Sequence, residues 1–179
     1  TGQGNLTLSE LQPREEISKD GGSASFTVVS NRDWTAESDQ KWLTLDKSSG
    51  TASNDPITVT VTASVSDGLR RTAVVTVRTD LETETIEVVQ EGWRMAFSPL
   101  EDPETELFFG YAGDTKTYYV DANVEWTVSS ENAYAVVEKI DEESFSVKFP
   151  FARAFADEKI AVVLKAAVEN SPLETQTMT

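Results

Sequence analysis

Cysteine and histidine are both absent from the 179 residues. Without cysteine there are no disulfides and no thiol nucleophiles. Without either residue there is no zinc site of the usual ligand type and no ordinary neutral-pH general base. The lack of cysteine leaves the redox compartment open and is compatible with export. No apolar run approaches the roughly 20 residues that span a bilayer, and no signal peptide is visible. The chain opens on Thr1 without Met, so any export signal is expected upstream. Positive charge is scarce as well: 15 Lys and Arg stand against 31 Asp and Glu, a net charge of −16. Residues 1–92 carry −7 of it and residues 93–179 carry −9. Both halves repel phosphate backbones and anionic membrane surfaces, so neither nucleic acid nor direct membrane insertion is expected.

Catalytic motifs are missing too. There is no Gly-x-Ser-x-Gly, and Gly2-Gln3-Gly4 is too little for a phosphate loop. Many Asp and Glu residues are present, but no spacing selects a glycosidase pair. The acidic runs Glu101-Asp102 to Glu106 and Asp141-Glu142-Glu143 lack the Asp-x-Asp-x-Asp pattern of a calcium loop and read as solvated loops. No enzyme activity, cofactor or metal is expected.

What is present is a globular balance, 39% apolar and 26% charged, written in short β-rich runs. Phe26–Val29, Ile57–Ala63, Thr72–Val77 and Thr85–Val89 are rich in Val, Ile and Thr and alternate with period two. Ile57, Val59, Val61 and Ala63 share one face. Asp20-Gly21-Gly22, Ser48-Ser49-Gly50, Asn54-Asp55-Pro56 and Thr79-Asp80 break the runs, and Asp67-Gly68 reads as a hairpin turn. Strands at this spacing indicate a sandwich rather than βαβ units. Only Phe151–Glu158 could make helix, one or two turns of it, and because the equivalent place in the first half is a loop it reads as a loop insertion, with little helix expected overall.

The second half repeats the first at an offset of 92. Val28, Asn31, Trp34 and Thr35 fall on Val120, Asn123, Trp126 and Thr127. Trp42 falls on Tyr134, Leu45 on Val137, and Leu81–Glu87 on Leu173–Thr179. Ala73-Val74-Val75 lies over Ala161-Val162-Val163 at a slightly different offset, so a loop has changed length. The fold expected is therefore all-β, two tandem immunoglobulin-like β-sandwich domains at 1–92 and 93–179. The second is expected to lack the end of its last strand.

The order Gly21-Gly22, a β run, Asn31-x-x-Trp34, Trp42-Leu-Thr-Leu, Ser-Ser-Gly50, an alternating Thr-Val strand, Arg71-Thr-Ala-Val-Val and Ile-Glu-Val-Val-Gln90 resembles the BACON domain. That family is a bacterial immunoglobulin-like module typical of Bacteroidetes extracellular proteins. The resemblance covers about residues 6–92. Residues 93–179 resemble the family more weakly: Asn123-x-x-Trp126 is kept, Tyr134 replaces Trp42, the Ser-Ser-Gly turn is missing, and Lys159 stands where Arg71 stands. The resemblance implies an accessory module of a cell-surface or secreted protein, used for spacing, adhesion or protein interaction. The alternative it implies is carbohydrate binding attached to a glycan-degrading system. The partner would be a glycan or mucin, or another surface protein.

Trp34 and Trp126 sit inside strand patterns and read as core. Asn31 and Asn123 read as turn residues that bond nearby backbone. Trp42, Tyr134 and Trp93 are the candidate ligand contacts. If Leu43 and Leu45 point inward, Trp42 points out or lies against a sheet edge, where its face could stack on a pyranose; Tyr134 would take the same place. Trp93, beside Gly92, is expected to pack between the modules. For Trp42 and Trp93 a structural reading is favoured over ligand contact. Phe97, Leu107, Phe108, Phe109 and Tyr111 form an aromatic cluster that is mostly core.

Overall fold

The computed structural model describes residues 2–98, 113–149 and 160–179. Leu107, Phe108, Phe109, Tyr111, the acidic run from Glu101 to Glu106, the run Phe151–Glu158 and Lys159 lie outside the described residues. The chain divides into two compact units, Thr1–Gly92 and Trp93–Thr179. Both are immunoglobulin-like β-sandwiches, and the described residues contain no helix.

In the first unit the period-two runs become strands because alternate residues have a core to enter. One sheet has the order β1 (Leu6–Leu8), β2 (Gly22–Ser30), β6 (Ser53–Ala63), β4 (Leu43–Leu45). The other has the order β5 (Ser49–Gly50), β3 (Trp34–Ser38), β7 (Arg71–Arg78), β8 (Thr83–Gln90). Ala24, Phe26 and Val28 of β2 meet Val59, Val61 and Ala63 of β6, and across the sandwich Trp34, Ala36, Ala73, Val75, Val77 and Val88 close the core. Each of these valines contributes about 1.5–3 kcal/mol by leaving water.

The break at Thr79-Asp80 is a hairpin, with Thr79 N–H donating to Glu82 O as β7 turns into β8; a hairpin was expected at Asp67-Gly68. Asp67-Gly68 does not make one. It joins β6 to β7, and these strands belong to opposite sheets, so the turn carries the chain across the sandwich rather than back along one ladder. Ser49-Gly50 is itself a short edge strand whose Gly50 pairs with Trp34. A Cβ on Gly50 would lie 2.4 Å from Trp34 Cε2 and Cζ2. Gly50→Ala is therefore expected to push the indole off its rotamer and to cost the first unit about 1–3 kcal/mol. A denaturant midpoint that does not move would contradict this packing.

Among the described residues the second unit repeats the strand order with one strand fewer. Its first sheet runs β9 (Met95–Phe97), β10 (Asp114–Ala122), β13 (Ser144–Phe149), β12 (Val136–Lys139) in the order β12-β13-β10-β9, and its second runs β11 (Trp126–Ser130), β14 (Val162–Ala166), β15 (Gln176–Met178). The missing strand is the counterpart of β5, which the absent Ser-Ser-Gly turn would have supplied. The ladders fix the equivalences. Leu45 pairs with Val61 as Val137 pairs with Val147, and Val75 pairs with Ile86 as Val162 pairs with Met178.

One equivalence read from sequence slips. Thr35 pairs with Arg78 and Thr127 with Lys165, so Val75 corresponds to Val162, not to Val163. A shift of one residue turns every side chain to the other face, and burial follows the ladder: Val162, Leu164 and Ala166 are buried as Val75 and Val77 are. The core of the second unit is aromatic. Phe145 is fully buried, stacked on Tyr118 at 5.5 Å and edge-on to Trp126 at 6.3 Å, with Phe97 at 6.0 Å.

Candidate functional site

Trp42 lies in the turn just before β4, where Leu43 enters the core and is only 3% exposed. Trp42 is half-buried and packs against the core of the first unit. Over its ring, 4.5 Å from the centroid, lies the guanidinium of Arg71 from the start of β7. Such a contact is worth about 0.5–2 kcal/mol, more as it loses water. The Arg71 side chain is only 17% exposed, so this pair is largely withdrawn from solvent.

What holds Arg71 there is a polar network that closes on itself. Arg71 Nε donates to Gln90 Oε1 at 2.7 Å. Nη2 donates to Val65 O at 2.9 Å and to Ser64 O and Oγ at 3.2 and 3.3 Å, while Nη1 faces Asp67 at 3.6 Å. Gln90, at 0% exposure, donates through Nε2 to Ser18 O at 2.9 Å and Ser64 O at 2.7 Å. Both ends of the buried amide are satisfied, as burial requires. The guanidinium directs its donors at protein acceptors and its face at Trp42, so the site serves as a cap on the sandwich rather than as a receptor for an anion.

The two asparagines do something the sequence did not suggest. Asn31 Oδ1 accepts from Asn5 N–H at 3.0 Å and Asn31 Nδ2 donates to Gln3 O at 3.0 Å. Asn123 Oδ1 accepts from Arg94 N–H at 2.8 Å. Local turn bonding was expected, but the partners lie 26 and 29 residues away. Each side chain fixes the backbone just before the first strand of its unit.

Trp34 and Trp126 are each 2% exposed and belong to the cores. Trp126 Nε1 donates to Glu142 O at 2.9 Å, and Lys139 Nζ sits 4.4 Å from its ring centroid. Trp34 Nε1 is buried without an acceptor among the described residues. Tyr134, the counterpart of Trp42, is 63% exposed in the turn before β12. Trp93 is half-buried. Trp42 belongs to the first unit, and Tyr134 and Trp93 belong to the second.

A second exposed aromatic escaped sequence reading. Tyr119 on β10 is 59% exposed and borders a shallow polar depression with Arg94, Ser98, Asp121 and Glu143. In it Arg94 Nε bonds Asp121 Oδ1 at 2.9 Å. Only the alternation of β10 could have pointed to it. The run Asp141-Glu142-Glu143 is a structural turn. Asp141 Oδ1 accepts from Ser144 Oγ at 2.7 Å and from Glu143 N–H at 2.9 Å, and these bonds, the Ser144 hydroxyl first, hold its carboxyl below the usual range. Among the described residues no group of acidic side chains is placed to hold a metal ion, and no helix is long and apolar enough to cross a membrane.

Three comparisons with known proteins bear on these sites. No curated protein sequence matches the chain. Among solved structures, the chain is similar to the GH5 xyloglucanase of Bacteroides ovatus in complex with a XXXG heptasaccharide, at 21% identity over 47% of this chain with a TM-score of 0.40; it spans 18% of that enzyme's length. It is also similar to the titin Ig tandem A164-A165, at 10% identity over 99% of this chain and 95% of that one with a TM-score of 0.35. The D0-D1 domain of intimin aligns at 15% identity over 94% of each chain with a TM-score of 0.36. A family model described as the viral BACON domain matches residues 5–93, the span that contains Asn31, Trp34, Trp42, Arg71 and Gln90, and the first unit is accordingly a BACON-type domain.

Proposed function

We propose that the chain is a non-catalytic extracellular pair of modules, acting as a spacer or protein-interaction unit of a surface or secreted protein, and that the second unit is a divergent BACON-type copy of the first. The repeated strand order and the paired Asn31 and Asn123 clamps support the second half of that statement. The family description names viruses, so a virion surface stands beside a bacterial one as the place of display.

The observation that carries the spacer reading is the Arg71 guanidinium over Trp42. A sugar platform needs an open aromatic face, and in the first unit that face is spent on closing the sandwich. Three carboxylates are poorly set for general-acid work. Glu16, Asp46 and Asp141 are all held below the usual carboxylate range by hydrogen bonds, first from Arg70, Lys47 and Ser144 respectively. A general acid needs the opposite shift.

The test is a screen of the whole chain against a broad glycan array that includes mucin O-glycans. No retained glycan is the expected result. Binding that disappears in a folded Trp42→Ala variant would overturn the spacer reading. The exposed rings of Tyr134 and Tyr119 favour a second reading, glycan contact by the second unit. It would take over if binding survived Trp42→Ala and was lost in Tyr134→Ala or Tyr119→Ala.

A further inference from the structure

A spacer on a surface is pulled from both ends, and the first unit has a feature suited to that. Its described strand pairs are antiparallel, but Ile17 forms an isolated parallel bridge to Gln90 at the end of β8. Ile17 N–H donates to Val89 O at 2.9 Å and Glu91 N–H donates to Ile17 O at 2.8 Å. Gln90 Nε2 adds its bond to Ser18 O, and Lys19 N–H reaches Glu91 Oε2 at 3.5 Å. Ile17 is 7% exposed and Gln90 is at 0%, so water does not readily replace these bonds. Lys19 O in turn accepts from Ser66 N–H at 2.7 Å, and a Cβ on Gly92 would lie 2.2 Å from Arg70 N. The chain therefore leaves the unit through a tightly packed exit.

Direction decides what such a tie does under load. Tension enters through the N-terminal end of the Ile17 segment and through the C-terminal end of β8. For parallel neighbours those two pulls run in opposite senses along one axis, so the bonds are sheared together. A hairpin pulled at its open end loses its bonds one at a time. Ahead of the tie the load meets the three-residue pairing of β1 with β2, the Gln12–Ser25 bridge, the Asn31 bonds to Asn5 and Gln3, the Ser9–Thr27 bonds and the exposed Glu16–Arg70 pair. Among its described residues the second unit joins its first and last strands differently. There Gln176 of β15 reaches β9 by its side chain, Nε2 donating to Met95 O at 2.9 Å and Oε1 accepting from Phe97 N–H at 3.3 Å.

We infer that the first unit bears tension along the chain, and that the parallel tie of Ile17 to β8, locked by the buried Gln90, is the element that carries it. This inference rests on the spacer reading for its biological use but not for its physics. When the tie breaks, the rest of the core is still packed. Core contacts away from the tie thus persist in the transition state for forced unfolding and have little influence on its rate.

The absence of native cysteine permits thiol handles at Gly2 and Thr179 of the whole chain. Constant-force extension is expected to give two unfolding steps, the more resistant one from the first unit. Gln90→Ala should speed that step about tenfold at fixed load, the effect of losing hydrogen bonds of ordinary net strength, and leave the other step alone. Val77→Ala, which empties core away from the tie, should lower the thermal midpoint and change the resistant step far less. Should Gln90→Ala not fold, Glu91→Pro removes the N–H that bonds Ile17 O and the carboxylate that Lys19 N–H reaches, and is read in the same way. Equal effects of the tie and core variants on the forced rate, or an effect confined to the weaker step, would overturn the inference. A weak chain that retains no glycan would also overturn it and leave the spacer reading in place. A glycan hit lost in Trp42→Ala would instead remove the spacer reading, whatever the forces measured.

Discussion

Phe145→Ala is expected to unfold the second unit near ambient temperature while the first stays folded. Phe145 sits at 0% exposure on β13, between Tyr118 on one neighbouring strand and Lys139 on the other. Its ring is the common contact of Phe97, Tyr118 and Trp126. Truncating a buried Phe to Ala costs about 3–5 kcal/mol, part of it for the cavity left behind. Small domains are stable by only about 5–15 kcal/mol in total, so the loss takes most of the margin. Trp126 would lose its edge contact, and with it the geometry that holds Nε1 against Glu142 O. The check is denaturant unfolding followed by tryptophan fluorescence and far-UV circular dichroism. Two transitions are expected, with the second unit's moved to low denaturant and the first unit's unmoved. Loss of both together, or of neither, would contradict the separate cores.

The next largest effect is expected from Gln90→Leu. Leucine fills nearly the same space and is apolar, so simple burial arguments would favour it. The network opposes it. Arg71 Nε loses its acceptor, and Ser18 O and Ser64 O each lose a donor at a site from which water is excluded. An orphaned buried polar group costs about 1–3 kcal/mol, and more when charged. The two carbonyls keep other donors, Gly21 N–H on Ser18 O and Arg71 Nη2 on Ser64 O, which limits the total. About 3 kcal/mol is therefore expected on the first unit, read as a drop in its denaturant midpoint. A midpoint equal to or above the parent's would show that the amide is dispensable. The variant should also loosen Arg71 over Trp42, since the shortest of the guanidinium's bonds is the one removed.

These two positions mark where sequence reading succeeded and where it stopped. Strands with alternating Val, Ile and Thr were legible because burial imposes the period: Ile57 to Ala63 lie along β6 as expected, and Trp34 and Trp126 are core. The repeat was legible as well, since an offset of 92 survives in the ladder at Leu45 and Val137 and at Ile86 and Met178. Its one slip, at β14, came from matching identical Ala-Val-Val letters where the ladder matches faces. The turn at Asp67-Gly68 carries a hairpin's letters, but turn chemistry says nothing about which sheet the next strand joins.

The site was harder to read because its parts are distant in sequence. Trp42 was ambiguous until Arg71, 29 residues further along the chain, was seen to lie over it. A glutamine at a strand end ordinarily reads as a solvated polar residue, and Gln90 is buried only because the loop carrying Ser64 and the segment carrying Ser18 converge on it. The asparagines were read as turn formers because local bonding is what sequence makes visible. Their actual partners, Asn5 and Arg94, are brought near only by the folded sheets.

Collisional quenching of Trp42 by acrylamide tests most directly whether the aromatic groups of the first unit serve the fold rather than a ligand. The difference between the parent and Trp42→Phe isolates the signal of this one indole. With Arg71 over the ring and the core against it, Trp42 should be quenched only weakly in the parent, and substantially more in an Arg71→Ala background that still folds. Quenching as efficient as that of free tryptophan in the parent, unchanged by Arg71→Ala, would mean that the ring stands open to solvent and would contradict the structural role assigned to it.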